Sequence, residues 1–381
     1  MYKHISKNNK LLVVSDTGMA KTIDGVIKAF GPVVTELNHL LLEFDEITWI
    51  GFHKKKEHQN KSYIDVNNSK IKIILLEAVG GRTLYSKIKI LFFYPKMIFI
   101  ILSEILKHNY IHSRAPSNPA FITMFLSYFF RDKIFWHKYA GSWIDNAPFF
   151  YKLQRKFLLL LLRRNNFITI NGNYSKNSNI IPFENPCLDE EDRVLGLEVI
   201  NKNKLKNKII FCFVGALNQH KGVDIIIEAF KKIQSEKIGD IHFIGDSEKK
   251  SNYIQAANKL QYNTIFHGYL PKDEIREIYQ KSHFILLPSK SEGFPKVIGE
   301  AMNYGCIPIV SNVSCIGDYI KNNENGFLIE PNTSEILKNK IIEAIRLETL
   351  LYNKWIEHNY LMSEKFTYSY YNKRILTEIF K

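Results

Sequence analysis

The sequence predicts an α/β chain of two doubly wound parallel-sheet domains facing a central cleft. Its apolar residues fall in short strand-like runs that alternate with segments of helical spacing, the pattern of a parallel sheet with crossover helices. A polar, turn-rich stretch interrupts that alternation near the middle, after which it restarts cleanly. At 381 residues, 45% hydrophobic and 24% charged, the chain is long enough for two or three domains and has an ordinary globular composition.

In the first half, Leu11-Leu12-Val13-Val14 ends at Ser15-Asp16-Thr17-Gly18, as expected of a buried parallel strand closed by a glycine turn. A second turn, Phe30-Gly31-Pro32, opens the helically spaced V-V-T-E-L-N-H-L-L-L-E-F. Further strand-like runs lie at 47–50, 71–76 and 134–136, with helical segments between them. Residues 88–106 and 119–130 are strongly apolar and aromatic, and 151–167 joins a leucine run to Arg155, Lys156, Arg163 and Arg164. Two readings fit these stretches: buried helices with solvated basic ends, or a surface resting on anionic lipid headgroups.

Residues 171–207 are polar, and 186–207 is read as a linker between a first domain over 1–185 and a second over 208–355. Within the second domain, I-I-F-C-F-V-G, I-H-F-I-G, N-T-I-F-H-G, F-I-L-L-P-S and I-P-I-V-S are strands separated by helical segments. A closing segment, 356–381, carries F-T-Y-S-Y-Y and a short helix. Two such domains leave a cleft between the carboxyl ends of their strands, where open α/β sheets bind ligands.

Lys and Arg number 52 against 38 Asp and Glu, a net charge of +14 that suits a polyanionic partner or reflects a lysine-rich composition. Charge alone is the sole support for a nucleic-acid partner, since no zinc spacing, aromatic RNA-binding motif or basic helix repeat accompanies it. The four cysteines show no metal-ligand spacing, so neither a disulfide framework nor a zinc site is expected, in keeping with a reducing cytoplasm. The longest uncharged stretch, residues 301–317, is too short and polar to span a bilayer, and the N-terminal apolar run is too short for a signal-peptide core. A cytoplasmic protein, peripheral at the inner membrane face if the lipid reading holds, is the expectation.

Two strand-to-helix loops of the second domain carry the chemistry. Gly215-Ala216-Leu217-Asn218-Gln219-His220-Lys221-Gly222 allows close backbone approach to a ligand, a helix N-terminus beyond it, and a lysine for a phosphate. A plain turn with an exposed lysine would read the same way. Pro288-Ser289-Lys290-Ser291-Glu292-Gly293-Phe294-Pro295-Lys296 likewise opens a helix, with Pro295 suited to the first turn and Gly293 and Phe294 offering backbone N–H groups. Glu292 falls in this loop, facing a ligand's hydroxyls, and Glu300 on the helix, where a carboxylate can accept from both hydroxyls of a ribose.

These residues resemble the nucleotide-sugar-binding domain of the family-four retaining glycosyltransferases, the group 1 transferases of GT-B fold. The resemblance rests on Glu292 and Glu300 as E-x7-E within P-S-x-x-E-G-F, on V-G-x5-K-G (Gly215, Lys221, Gly222), on F-H-G-Y-L ending at Leu270, and on N-G-F-L-I-E-P. It implies two Rossmann-like domains, the first binding acceptor, the second binding a nucleoside diphosphate sugar, and a tail over 356–381 returning to the first. It also implies that Glu300 holds the ribose, Lys221 the diphosphate, and Glu292 with the Gly293 and Phe294 backbone the sugar and distal phosphate. Pro295, Lys296 and Leu270 complete the implied donor site. No Asp-x-Asp motif occurs, so a reaction without a metal or other cofactor is expected.

The family often has an arginine where this chain has Ala216; Lys290, Lys296 and Lys249 are candidate replacements. On the acceptor side the resemblance suggests His137 as a strand-end histidine near the reacting sugar, with His112, Asp16 and Gly18 as weaker candidates. The implied function is transfer to a glycan or lipid-diphosphate-linked acceptor in assembly of a cell-surface polysaccharide (capsule, O-antigen or exopolysaccharide). A non-catalytic sugar-nucleotide-binding partner subunit and a sugar-nucleotide epimerase are the alternatives.

Overall fold

The computed structural model describes residues 9–54, 61–79, 84–141, 143, 148–162, 165–202, 208–293 and 295–380. The chain forms two compact units, Met1–Phe183 with Asn372–Lys381, and Glu184–Tyr371.

The first unit contains β1 (Lys10–Lys21), β2 (Ile27–Phe30), β3 (Glu46–His53), β4 (Tyr63–Asp65), β5 (Ile71–Glu77), β6 (Tyr110–Ala115), β7 (Ile134–Tyr139), β8 (Asn166–Ile170) and β9 (Ile180–Pro182). Its helices are α1 (Gly31–Leu40), α2 (Leu84–Lys107), α3 (Asn118–Ser127) and α4 (Phe149–Leu160). A parallel sheet runs β5-β3-β1-β6-β7-β8-β9. β1 does not stop at Val14 as the glycine signal suggests. It shifts register against β3 between Val14 and Gly18, then continues as Met19–Lys21 paired antiparallel with β2. Such a bulge absorbs residues that read as a turn. Ser15 anchors it, accepting from Trp49 Nε1 at 3.0 Å and donating to the Ile50 carbonyl at 3.3 Å.

The second unit contains α5 (Glu190–Asn201), β10 (Ile209–Val214), α6 (Val223–Lys231), β11 (Ile238–Ile244), α7 (Lys250–Ala257), β12 (Thr264–Gly268), α8 (Lys272–Lys281), β13 (Phe284–Leu287) and α9 (Lys296–Asn303). It continues with β14 (Ile307–Ser311), α10 (Ile316–Tyr319), β15 (Phe327–Ile329), α11 (Ser334–Ala344) and α12 (Thr349–Ser363). All strands are parallel in the order β12-β11-β10-β13-β14-β15, so the order reverses between β10 and β13.

Two sequence-based boundaries need correction. The stretch read as a linker, 186–207, carries α5. Asp189 caps it through the Asp192 backbone N–H at 2.9 Å, and the Asp192 carboxylate accepts from the Asp189 N–H at 3.0 Å. The closing segment does not begin at 356: Trp355, Ile356 and Phe366 are buried in the second unit's core. The boundary falls inside α13 (Tyr368–Arg374), and the chain from Asn372 onward, with a π-helical turn over Ile375–Ile379, belongs to the first unit. There Phe380 packs its ring 5.5 Å from Phe44 and 5.1 Å from Tyr110.

Candidate functional site

The two marked loops leave the carboxyl ends of β10 and β13, neighbouring strands at the point where the sheet order reverses. Backbone geometry binds the loops together. Gly222 caps α6 at φ +75°, and a Cβ there would fall 2.1 Å from the Pro288 carbonyl oxygen, so glycine is needed for the contact. The Lys290 N–H donates to the His220 carbonyl at 2.8 Å, and His220 Nε2 lies 3.1 Å from the Ser291 carbonyl. Lys221 Nζ and Glu292 Oε1 are 2.5 Å apart, with the Glu292 side chain nearly buried. On the other flank, Gly245 at φ +137° lets the β11 loop lie against the Gly215 carbonyl, where a Cβ would come within 1.8 Å.

Glu300 is half-buried on α9 and accepts from Tyr279 Oη at 3.3 Å. Burial, the largest influence, raises its carboxyl above the ordinary range; Lys296 and Lys272 pull it down, and Asp192 reinforces the rise. Pro295 takes the cap position of α9, one residue before the first helical residue, Lys296, and no side chain caps that end. The helix therefore begins with its positive dipole end toward the loop that carries Glu292. Two buried thiols support the loop from below, Cys315 Sγ donating to the Gly293 carbonyl at 3.7 Å and Cys187 Sγ to the Lys296 carbonyl at 3.5 Å. Leu270 packs in the apolar cluster that holds Tyr279 and Val297. Phe294 lies outside the described residues.

The second unit thus brings together Gly215, Lys221, Glu292, Gly293, Pro295, Lys296 and Glu300 at one edge. Ala216 is exposed in the first loop, and both Lys290 and Lys249 are exposed. Two further cations escaped the sequence reading. Lys250 lies against Gly268 at the end of β12, and Lys272 is close enough to Glu300 to bias its charge. Lys272 comes two residues after F-H-G-Y-L, the one signal that pointed to it.

The first unit corrects the histidine expectations. β7 runs on to Tyr139, so His137 is an interior position of a central strand instead of its end. The ring is fully buried, with Nδ1 2.7 Å from Ser113 Oγ and Nε2 3.1 Å from Asn166 Oδ1. Burial lowers its pKa to about 4. His112 is equally buried on β6, stacked 3.7 Å from the Trp136 ring, and burial depresses it well below the ordinary histidine range. Both rings are fully buried and lie within strands, not at an exposed strand end as expected. Gly18 lies buried within β1, where a Cβ would meet Tyr63 Oη at 2.7 Å. Asp16 is exposed on the bulge, its carboxyl raised chiefly by the protein around it despite its own backbone N–H, Lys54 and Arg114. Near it, Arg114 and Lys138 at the carboxyl ends of β6 and β7 both donate to buried Glu36, at 2.8 and 3.0 Å. This charged group was missed because its members lie far apart in sequence.

The family description Glycosyl transferases group 1 matches residues 198–362. Among curated relatives, an uncharacterized glycosyltransferase of Methanocaldococcus jannaschii is 35% identical over 158 residues, 40% of this chain and 43% of its own. A UDP-Gal:alpha-D-GlcNAc-diphosphoundecaprenol alpha-1,3-galactosyltransferase of Escherichia coli is 32% identical over 41% of this chain and 40% of its own. The chain spans about half the length of the curated relatives it matches. A solved glycosyltransferase from Rickettsia africae superposes with a TM-score of 0.68 at 18% identity, covering 99% of this chain and 100% of that one. Anabaena HepE in complex with UDP gives 0.67 at 15% identity, covering 96% and 98%. The fold is GT-B, made of two Rossmann-like domains. Every donor-side candidate falls within the matched residues, 198–362.

Proposed function

We propose that this chain transfers a sugar, with retention of configuration, from a nucleoside diphosphate sugar to a glycan or lipid-diphosphate-linked acceptor in cell-surface polysaccharide assembly. The observation that carries the reading is the Lys221–Glu292 pair, which joins two glycine-bearing loops at the sheet's reversal point, with Glu300 eight residues further along on α9. Lys221 and the open end of α9 supply positive charge where a departing diphosphate develops negative charge, the service a metal performs in other transferases. Glu292 orients Lys221 and accepts from sugar hydroxyls; Glu300 accepts from the ribose. Lys296 and the backbone at Gly215 and Gly293 complete the donor contacts. Relatives named for a UDP-sugar and for UDP binding support a uridine donor, and the lipid-diphosphate acceptor of one supports that acceptor class.

The test is transfer by the purified chain, with the product anomer read by NMR. Retained configuration, turnover insensitive to EDTA, and a loss of roughly a hundredfold or more in kcat for Lys221→Ala are expected, the scale of losing one charged stabiliser in a transition state. The exposed methyl of Ala216 in the phosphate loop favours a second reading, a sugar-nucleotide-binding subunit without activity of its own. Nucleotide binding without turnover until a partner is added would establish that reading in place of the first.

A further inference from the structure

Three helices of the first unit turn apolar residues outward. On α2, Phe92, Phe99 and Leu106 recur every seven residues and are 79%, 73% and 61% exposed, while Met97, Ile101 and Ile105 point into the core. The α3 end adds exposed Phe125 and Phe129. On α4, Gln154 and Leu158 are buried, whereas Phe149, Leu153 and Leu160 face out. The three helices adjoin: Phe125 lies 5.5 Å from Phe129 and stacks 6.5 Å from Phe157 of α4, and α2 and α3 share a buried cluster that includes Ile101, Ile122 and Leu126.

Charge identifies the occupant. Exposed Lys96 lies on α2 between Phe92 and Phe99, and exposed Lys152 and Lys156 flank Leu153 on α4. Neither α3 nor α4 contains a carboxylate, and Lys152 and Lys156 meet none among the described residues. On α2, Glu104 is engaged by Lys107 at 2.7 Å. Lysine is depleted in the cores of protein interfaces, and a two-fold pairing of this face would set lysine against lysine. Bulky apolar groups beside lysines instead suit a bilayer surface, with the rings among the acyl boundary and the ammonium groups at anionic headgroups. No helix among the described residues is long and apolar enough to cross a membrane, so the contact is with the surface.

We propose that the outward faces of α2, α3 and α4 form a docking surface for an anionic lipid bilayer. The surface is independent of the donor site, and its test does not use activity. Flotation with phosphatidylcholine vesicles, with and without phosphatidylglycerol, is compared for the unmodified chain, Lys152→Gln/Lys156→Gln, and Phe99→Ser/Phe149→Ser/Leu160→Ser. Binding to the anionic vesicles alone is expected, weakening with added salt and falling roughly fivefold per lysine removed, about twenty-five-fold for the pair. The apolar variant is expected to lose binding while melting at an unchanged temperature, since its positions are exposed. The lysine variant provides the answer should the apolar one fail to fold. Binding that ignores the lysine changes, equal binding to neutral vesicles, or absence of binding with concentration-dependent self-association would each overturn the proposal.

Discussion

Burial fixes the protonation of His137: its folded pKa is about 4 against an ordinary 6.5. Between those values the unfolded chain binds the extra proton and the folded one does not. Stability therefore rises with pH through this window and is lost on acidification. The residue's share of that loss between pH 7 and 4 is roughly 3 kcal/mol. Urea unfolding followed by tryptophan fluorescence is expected to show a shallower acid loss for His137→Gln, which can keep the Ser113 and Asn166 partners; parallel profiles would refute the assignment. The same residue shows where sequence reading stops. F-W-H-K-Y-A-G reads equally as a strand ending at His137 or passing through it, and only the pairing of Tyr139 with Ile170 decides. Lys221 and Glu292 were legible because each comes after a strand and before a helix, and their strands are neighbours.

At the scale of elements, α5 was the hardest to foresee. Hydrophobic spacing cannot reveal a helix whose buried residues are Asp192, Arg193 and Gly196. Its buried residues pack through polar contacts, beside partly buried Leu195, Val199 and Ile200. Asp192 accepts from Tyr304 Oη at 2.7 Å and pairs with Lys272 at 2.5 Å and Arg276 at 3.3 Å. Arg193 donates to Asn303 Oδ1 at 2.8 Å and lies 3.7 Å over the Tyr360 ring, while Gly196 leaves room for the Asn303 backbone. Asp192→Ala takes the acceptor from the Tyr304 hydroxyl and the Asp189 N–H and one partner from each cation, although Lys272 keeps Asp189 and Arg276 keeps Glu191 and Asp273. A loss of about 2–4 kcal/mol in the second unit is expected, seen as a lower urea midpoint in the Trp355 signal. No change would mean that the network is incidental to folding. The strands and the helices flanking the site, by contrast, were legible from their apolar runs, because a parallel strand buried on both faces is nearly continuous in Ile, Val, Leu and Phe.

For the whole molecule, the alternation of strand and helix gave the two-sheet architecture, but not where one unit yields to the other. Tail residues Ile375, Ile379 and Phe380 are buried in the first unit, far in sequence from the strands they cover. Ending the chain after residue 371 is expected to cost the first unit on the order of 5 kcal/mol, from three buried side chains. Calorimetry should show its transition falling while that of the second unit holds; an unmoved first transition would deny the tail a structural role. The central claim is that the second unit's reversal point binds a nucleoside diphosphate, and thermal unfolding with UDP, GDP, ADP or CMP tests it most directly. One diphosphate, at about 100 times its dissociation constant, is expected to stabilise the second unit by about 2.7 kcal/mol. That gain should fall in Glu300→Gln, whose amide keeps one acceptor for a ribose hydroxyl and loses the other. Stabilisation by none of the three diphosphates, or a gain that Glu300→Gln leaves intact, would contradict the claim.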